Sequence, residues 1–297
     1  MGPGQIEMVE VAPRDGLQNE KTLIETADKI ALIERAIAAG SRRIEVTSFV
    51  NPKAVPQMAD AEAVCEGLPE RNDVTFIGLV MNARGATRAL ATGRIDQLGA
   101  VAVSTDSFAM ANQGQLSDES VAAAAHIIGM ARAAGLSGQA TIAASFGCPF
   151  EGEVKHSTVL AIAEELAIEA PEEIALADTI GVGTPFEAGE LFGKLGEVLS
   201  DKIPMRAHFH NTRGTGIANA WEAWKAGVRV FDASLGGLGG CPFAPRATGN
   251  IATEDLIYMM ARSGVGTGID LEAAIAANKW FAGELGRELP SAVARAS

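Results

Sequence analysis

Short β-rich runs alternate with longer helical stretches along the chain, and this alternation constrains the fold more than any other feature of the sequence. Eight such runs are bounded by turn-forming residues, and they cover residues 6–11, 43–47, 74–80, 97–103, 140–145, 173–177, 205–210 and 228–234. Alternating strands and helices predict a parallel sheet covered by helices. Eight repeats predict a closed (β/α)8 TIM barrel, and an open doubly wound sheet is the alternative.

The motifs of nucleotide-binding open sheets are missing from the sequence. No G-x-G-x-x-G follows the first run, and no G-x-x-x-x-G-K-[ST] occurs anywhere. No stretch rich in Pro, Gly or Ser breaks the alternation either. We therefore predict one catalytic domain over residues 1–297, in which the residues after about 268 form a C-terminal helical extension.

Two helix starts show the capping-box pattern, in which Thr is followed three residues later by Glu. The first pattern covers residues 22–25 and predicts a helix that ends at Gly40. The second covers residues 184–187 and adds a proline at the first helical position. The apolar face of the first helix is expected to contain Leu23, Ala27, Ile30 and Ile37.

The charge balance and the cysteines indicate which partners and which compartment to expect. The 24 Lys and Arg against 37 Asp and Glu give a net charge of −13, which argues against nucleic acid and anionic membranes as partners. No apolar run approaches the ~18 residues of a membrane span. The three cysteines, Cys65, Cys148 and Cys241, form no C-x-x-C pair, and no secretory leader pattern precedes residue 6. We expect a cytoplasmic protein with reduced thiols.

Polar side chains gather where the predicted strands end, which is the edge at which TIM barrels carry their active sites. Glu45 and Asp178 point toward the barrel interior, where each needs a partner such as Arg14 or a ligand group. Further candidates for substrate contact at this edge are Gln18, Ser48, Ser104, Asp106 and Thr179.

The strongest local signal is His208-x-His210, because residues i and i+2 of a strand point to the same face. A hydrogen-bonded pair of core histidines is one interpretation, and a metal site is the other. Two histidines need a carboxylate and an amide oxygen or water to complete a divalent site. Asp15 is the expected carboxylate, and Asn250 is a candidate for the oxygen. This set suits Mg2+ or Mn2+, with Zn2+ as the alternative.

Two further residues are candidates for the chemistry beside such a metal. Arg14 neighbours Asp15 and carries a planar charged group suited to an oxyanion or a developing enolate, with a rim salt bridge as the alternative. Cys241 follows a glycine-rich stretch whose composition is typical of a mobile lid. Cys65 lies in a helical stretch and is expected to be structural, whereas the sequence does not decide whether Cys148 is structural or functional.

These residues stand within a longer pattern that resembles the 3-hydroxy-3-methylglutaryl-CoA lyase family, part of a larger group of metal-dependent barrels that make or break Claisen-type bonds. An arginine-aspartate-glycine-x-glutamine run such as 14–18 marks only the larger group, whereas the joined set with the glycine-rich cysteine loop is specific to the lyases. The matching segments are residues 9–20, 47–53, 55–60, 147–152, 178–185 and 236–255.

The resemblance implies cleavage of a 3-hydroxyacyl-CoA to acetyl-CoA and a keto acid, with 3-hydroxy-3-methylglutaryl-CoA giving acetoacetate. It further implies that Arg14 stabilises the thioester enolate, that His208 or Cys241 protonates it, and that Glu45 and Asp178 order the metal ligands. Glu254 would support the loop that carries Asn250. The implied metal ligands are Asp15, His208, His210 and Asn250.

Three departures from the family pattern concern the acyl end of the substrate. Asn211 stands where family members often carry an aspartate, and Asp106 where a glutamate is common. Near the fifth strand, Gln139 and Thr141 replace a frequent arginine and tyrosine pair. A related substrate such as citramalyl-CoA, which gives pyruvate, is therefore the main alternative.

Other functions predict different behaviour. A condensing synthase of the isopropylmalate type shares the paired histidines but usually continues beyond a length such as 297 residues. A two-histidine-one-carboxylate iron oxygenase would need O2 and Fe(II), and a binding module would lose no reaction with Asp15→Ala. For the CoA tail, Lys21 and Lys53 are candidates by position. The family and the apolar region around Trp280 and Phe281 suggest a homo-oligomer, a dimer or larger.

Overall fold

The computed structural model describes residues 4–200, 202–240 and 249–297, and it shows a closed barrel of eight parallel strands. The predicted TIM barrel is confirmed, and each predicted run corresponds to one strand. The strands are β1 Glu7–Glu10, β2 Arg43–Ser48, β3 Thr75–Val80, β4 Gln97–Val103, β5 Ser137–Ala143, β6 Ile174–Asp178, β7 Met205–Phe209 and β8 Val230–Ala233.

The strands lie in chain order around the barrel, and β1 pairs with β8 to close it. In that last pairing Met8 stands opposite Phe231 and Val9 opposite Asp232. All carboxyl ends of the strands therefore meet at one rim, where the polar candidates of the sequence are expected to lie.

Helices surround the barrel, and none within the described ranges is long and apolar enough to cross a membrane. The helices are α1 Thr26–Ala39, α2 Ala61–Glu66, α3 Ala83–Ala91, α4 Asp106–Gln113, α5 Ser117–Ala133, α6 His156–Ala167, α7 Pro185–Leu199, α8 Gly216–Lys225, α9 Thr253–Arg262, α10 Leu271–Leu285 and α11 Ala292–Arg295.

The first capping-box prediction is wrong by three residues, since the N-cap is Glu25 and not Thr22, and α1 begins at Thr26. The side chain of Gln57 explains the shift. It accepts a hydrogen bond from the Ile24 amide at 3.0 Å and donates one to the Thr22 carbonyl at 2.9 Å, which holds this segment out of the helix. The helix does end at Gly40, whose φ of 114° lies in the left-handed region.

The shift also changes the buried face of α1. Leu23 and Ala27 are exposed, and Ile30 is half-buried. Of the predicted face, only Ile37 is buried. The remaining side chains that α1 buries are Lys29, Leu32, Ile33, Ala36 and Ala39.

The second capping-box prediction is confirmed at α7. The Thr184 hydroxyl accepts from the Glu187 amide, and the Glu187 carboxylate returns to the Thr184 amide at 2.8 Å. Pro185 occupies the first turn of the helix, where its missing N–H has no intrahelical partner to lose.

The C-terminal extension packs on the barrel through α10 and α11. The Asp270 amide donates to the carbonyl of Ala39 at the end of α1. Phe281 is fully buried, and the Arg35 guanidinium lies 4.2 Å from the centre of the Trp280 ring. These two aromatic side chains thus pack within the chain and lend no support to the expected homo-oligomer, which stays a prediction.

Candidate active site

The turn after β1 brings two charged side chains to the carboxyl rim of the barrel. Residues Ala12–Gly16 form a single π-helical turn, which places Arg14 and Asp15 on the wall of a cavity of about 810 Å3, open mouth included. A Cβ at Gly16 would lie 2.9 Å from the Ser234 hydroxyl oxygen. Glycine at this position therefore lets the turn lie close against the segment that follows β8.

β7 brings the two histidines of the sequence pattern together. The Nε2 atom of His208 lies 3.1 Å from Nε2 of His210, and Asp15 Oδ2 lies 3.8 Å from the same His210 atom. These three residues offer ligand atoms within 4.8 Å of one another, and both histidines are buried. The structure thus provides a possible metal site at the predicted place.

Asn250, the fourth predicted ligand, lies beside this cluster and forms an isolated β-bridge with His210. Its Nδ2 atom donates to Asp15 Oδ2 at 2.7 Å and to the Leu238 carbonyl at 3.0 Å. Its Oδ1 atom is buried and has no hydrogen-bond partner among the residues that the structure describes. Because a buried carbonyl oxygen without a partner is costly, this atom fits a cation ligand.

The charges of these side chains suit a cation. Burial, and then the charge on His208, lower the pKa of His210 to about 4, so this imidazole is neutral at pH 7 as a metal ligand must be. Burial alone would raise the pKa of Asp15, but Arg14 and the two histidines outweigh it, and the pKa is lowered. The site therefore presents an ionised carboxylate beside the neutral imidazole of His210.

Asp232 on β8 orients His208, a role that the sequence analysis does not assign to it. Its Oδ2 atom lies 2.8 Å from His208 Nδ1, which leaves the Nε2 atom of that ring directed at the cluster. A carboxylate on the far nitrogen of a metal-binding histidine fixes the tautomer of the ring. The signal for Asp232 was present, because it is a charged residue inside a strand that the barrel buries.

Arg14 is held in place by two carboxylates. Its Nε atom donates to Glu45 Oε2 at 2.7 Å, and its Nη1 atom donates to Asp15 Oδ1 at 2.5 Å. The guanidinium also forms part of the cavity wall. Glu45 thus pairs with Arg14, as predicted from the sequence. The permanent positive charge of Arg14 faces the cavity next to Asp15 and the two histidines.

The cavity has a charged side and an apolar side. Of the predicted substrate-contact residues, Gln18 and Thr179 line it. The ionisable side chains in its wall are Arg14, Asp15, Glu45, Arg206, His208, His210 and Asp232, and the apolar ones are Leu79, Met81, Val101, Phe108, Ala143 and Ala177. A ligand bound here would meet cationic and acidic groups at one end and hydrocarbon at the other.

The structure does not bring the other three substrate candidates to the cavity wall. The Ser104 hydroxyl donates to the Ala144 carbonyl at 2.9 Å. The Asp106 carboxylate accepts from the Ser117 amide at the start of α5. Ser48 is fully buried within β2. Residues that end a strand point to alternating sides, and the side chains of Ser104 and Asp106 bind neighbouring segments instead.

Asp178 and Glu254 both bind loop amides. Asp178 accepts from the amides of Val182 and Gly183, each at 2.9 Å, and so shapes the loop between β6 and α7. The expected pairing of Asp178 with Arg14 or a metal ligand is not found. Glu254 accepts from the Gly236 amide at 3.0 Å, in the segment that follows β8, and its expected support of the loop that carries Asn250 stays a prediction.

Cys241 lies outside the described residues, but its neighbour Gly240 lines the cavity. The Gly240 carbonyl accepts from the Asn19 side chain at 2.8 Å. Lys21 and Lys53, the candidates for the CoA tail, are exposed and are not part of the cavity wall.

The remaining cysteines and the departures from the family pattern are also placed. Cys65 is buried in α2, as expected. Cys148 is buried, with its sulfur 3.1 Å from the Thr105 hydroxyl. Thr141 lines the cavity, whereas Gln139 is buried and its Nε2 atom has no hydrogen-bond partner in the described part of the chain.

Comparison with known proteins matches this chain to one group of enzymes. The HMGL-like family model matches residues 5–280. The chain is 45% identical to an (R)-citramalyl-CoA lyase of Chloroflexus aurantiacus, covering 98% of this chain and 94% of that protein. It is 40% identical to the mitochondrial hydroxymethylglutaryl-CoA lyase of Bos taurus, covering 99% of this chain and 90% of that protein. The structure of an HMG-CoA lyase from Acinetobacter baumannii in complex with coenzyme A and 3-methylmalate superposes with a TM-score of 0.94 at 38% identity, covering 100% and 96%.

Proposed function

This chain belongs to the HMGL-like family and is a carbon–carbon lyase that acts on CoA esters, and we propose that its substrate is a 3-hydroxyacyl-CoA with a tertiary hydroxyl and a free carboxylate. 3-Hydroxy-3-methylglutaryl-CoA is the first candidate, and its products would be acetyl-CoA and acetoacetate. The observation that carries this proposal is the convergence of Asp15, His208 and His210 beside Arg14 in one cavity.

We propose that Asp15, His208, His210 and the Oδ1 atom of Asn250 hold a divalent cation. When bound, such an ion supplies Lewis acidity that lowers the pKa of the substrate hydroxyl. Carboxylate and amide oxygens with imidazole nitrogens favour Mg2+ or Mn2+, and Zn2+ is the alternative. The unpartnered Asn250 oxygen supports this assignment.

Arg14 is the residue best placed to stabilise the charge that develops during cleavage. The hydroxyl gives its proton to solvent, the C2–C3 bond breaks, C3 becomes a ketone, and the electron pair of the broken bond moves into the thioester to give an enolate. The guanidinium of Arg14 is fixed by Glu45 and Asp15 before the substrate arrives, so it meets that charge without reorganising.

A proton must then be delivered to the enolate carbon to complete acetyl-CoA. Both ring nitrogens of His208 are engaged, Nδ1 with Asp232 and Nε2 within the metal cluster. We therefore propose that Cys241 is the proton donor. It is the next residue in the sequence after Gly240, which lines the cavity.

Citramalyl-CoA is the second candidate, and the identity of 45% to a citramalyl-CoA lyase favours it. It differs from the first candidate by lacking one methylene between the carbinol carbon and the carboxylate. Its products would be acetyl-CoA and pyruvate. The replacement of a frequent arginine and tyrosine pair by Gln139 and Thr141 also supports a changed acyl end.

Separate incubation of the purified protein with each acyl-CoA, in Mg2+ or Mn2+ and in EDTA, tests the proposal. Mass spectrometry would identify acetyl-CoA together with acetoacetate or pyruvate. His210→Ala should lose most of the activity, whereas His156→Ala, a histidine on α6 outside the cavity wall, should retain it. Absence of acetyl-CoA with both substrates, or equal activity in EDTA, would contradict the proposal.

A further inference from the structure

A chain of buried charged side chains runs through the barrel interior to the metal cluster. It starts at Arg43 on β2, whose Nη1 and Nη2 atoms donate to the two oxygens of Glu173 at 2.9 and 2.6 Å. Glu173 also accepts from Arg206 on β7 at 2.9 Å. Arg206 Nε donates to Asp232 Oδ1 at 2.5 Å, and Asp232 Oδ2 contacts His208.

Arg206 is the link between the structural part of this chain and the site. It is 1% exposed, and it reaches the cavity wall from β7, the strand that carries His208 and is followed directly by His210. Arg206 and His208 share one face of β7 because side chains alternate along a strand. The guanidinium therefore lies beneath the histidines, inside the barrel.

The geometry shows that the two oxygens of Asp232 serve different partners. One oxygen accepts from Arg206, and the other faces His208 Nδ1. If Arg206 were removed, Asp232 would be free to rotate or to pair elsewhere, and the His208 ring would lose its fixed orientation. An arginine suits this position because its rigid planar fork binds two carboxylates at once, Glu173 and Asp232.

We propose that Arg206 is a positioning residue of the metal site, which sets the cation affinity by fixing Asp232 and, through it, the orientation of His208. The inference rests on the cation site of the proposed function. Loss of a carboxylate that orients a metal-binding histidine typically weakens metal binding about 10- to 100-fold. Loss of Arg206 should weaken metal binding to a similar extent. Its hydrogen bonds in the described part of the chain go to Glu173 and Asp232, and not to a proposed metal ligand.

Mn2+ binding by isothermal titration calorimetry, on chelator-treated and refiltered protein, tests this proposal without relying on catalysis. Arg206→Met and Asp232→Asn should each raise the Mn2+ Kd about 10- to 100-fold. The double variant should bind as weakly as Asp232→Asn alone, because both residues act through one contact. If the fold-increase of the Mn2+ Kd in the double variant equals the product of the fold-increases in the two single variants, the residues act independently and the proposal is overturned.

Arg43→Met is the matched control, since it removes another buried arginine of the same series of ion pairs. Arg43 binds Glu173 and not Asp232. Its Mn2+ Kd should stay at the wild-type value even if its thermal midpoint falls. Equal weakening by Arg43→Met and Arg206→Met would mean that both act only on stability, and the proposal would be wrong.

Arg206→Lys provides the test if Arg206→Met does not fold. A single ammonium cannot hold both carboxylates as the fork does, so a several-fold weaker Mn2+ Kd is expected. An unchanged Kd for Arg206→Lys would overturn the proposal. Failure of the wild-type chain to bind Mn2+ would instead remove the cation site on which the inference rests, so the two failures are distinguishable.

Discussion

The side-chain amide of Asn250 donates a hydrogen bond to Asp15 across 2.7 Å, although 235 positions separate the two residues in the chain. This contact joins the turn after β1 to the segment after β8, the neighbouring strand in the closed barrel. It also fixes which way the amide faces: Nδ2 is used by Asp15 and Leu238, and Oδ1 is left as the acceptor. The Oδ1 oxygen of Asn250 is therefore available to a ligand, beside the carboxylate that the same amide binds through Nδ2.

Replacing Asn250 by aspartate should make folding stability depend more strongly on a cation than it does in the wild-type protein. The change removes the donor to Asp15 and places two carboxylates side by side, which should cost about 1–3 kcal/mol in EDTA. Added Mn2+ should recover this loss, because the cation balances the extra negative charge. Thermal unfolding of both proteins with EDTA and with Mn2+ measures the effect, and a rise of the variant's midpoint on Mn2+ addition no larger than that of wild type would contradict it.

Replacing Arg14 by lysine should lower kcat by about 100- to 1,000-fold, the usual effect of removing one donor that stabilises developing negative charge. Lysine keeps the charge but cannot hold Glu45 and Asp15 in the same fixed geometry. Steady-state kinetics with the preferred acyl-CoA checks this expectation.

The matched control for that change is Arg88→Lys. Arg88 donates from Nε and Nη2 to the two oxygens of Glu62 at 2.8 and 3.0 Å, away from the cavity wall. This variant should keep the wild-type kcat. Similar losses in both variants would mean that any broken arginine pair lowers activity, and the specific assignment of Arg14 would be wrong.

The barrel and the convergence of Asp15, His208 and His210 are the parts that the sequence predicts well. Strand periodicity is local, so His208 and His210 are expected on one face before any contact is known. The rule that barrel strands end at one rim then brings Asp15 to them. Both arguments need only the order of the elements along the chain.

Contacts that depend on register and on side-chain packing are not predicted in the same way. The start of α1 was misplaced because Gln57, more than thirty positions away, binds the backbone of residues 22 and 24. Asp232 was given no role because its contact with His208 depends on how β7 and β8 align. The carboxylate of Asp178 could be placed at the rim from the sequence, but not assigned to two loop amides.

Glu10 should make the folded chain less stable as the pH rises. Burial raises the pKa of Glu10 from 4.5 to about 8, despite bonds from the amides of Ala12 and Leu235 and the hydroxyl of Thr253. A carboxyl with a raised pKa contributes its full stability below its unfolded pKa of 4.5 and loses it as the pH approaches 8. The slope is about 1.4 kcal/mol per pH unit in that window.

Glu10→Gln should remove that slope. Its carbonyl oxygen can still accept from both amides, and its NH2 group can donate to the Thr253 hydroxyl. Urea unfolding at several pH values from 5 to 9 compares the two proteins, with the variant more stable than wild type at the alkaline end. Glu254, whose pKa burial raises to about 7, keeps its own smaller window in both proteins. Parallel curves for the two proteins would show that Glu10 does not titrate in this range.

Gly16 should be far less tolerant of a methyl group than a glycine on the outer helices. A Cβ at Gly16 would meet the Ser234 oxygen at 2.9 Å and Leu238 Cβ at 3.0 Å, so Gly16→Ala should cost about 1–3 kcal/mol by overpacking. It should also weaken Mn2+ binding, because the turn that is pushed away carries Asp15. Gly283→Ala on α10 is the matched change, since nothing lies within 4 Å of its Cβ, and it should raise stability by about 0.5–1 kcal/mol through helix propensity. Chemical unfolding and Mn2+ titration of both variants measure this contrast. If Gly16→Ala leaves both quantities unchanged, the close approach of the two segments is not what holds Asp15 in the site.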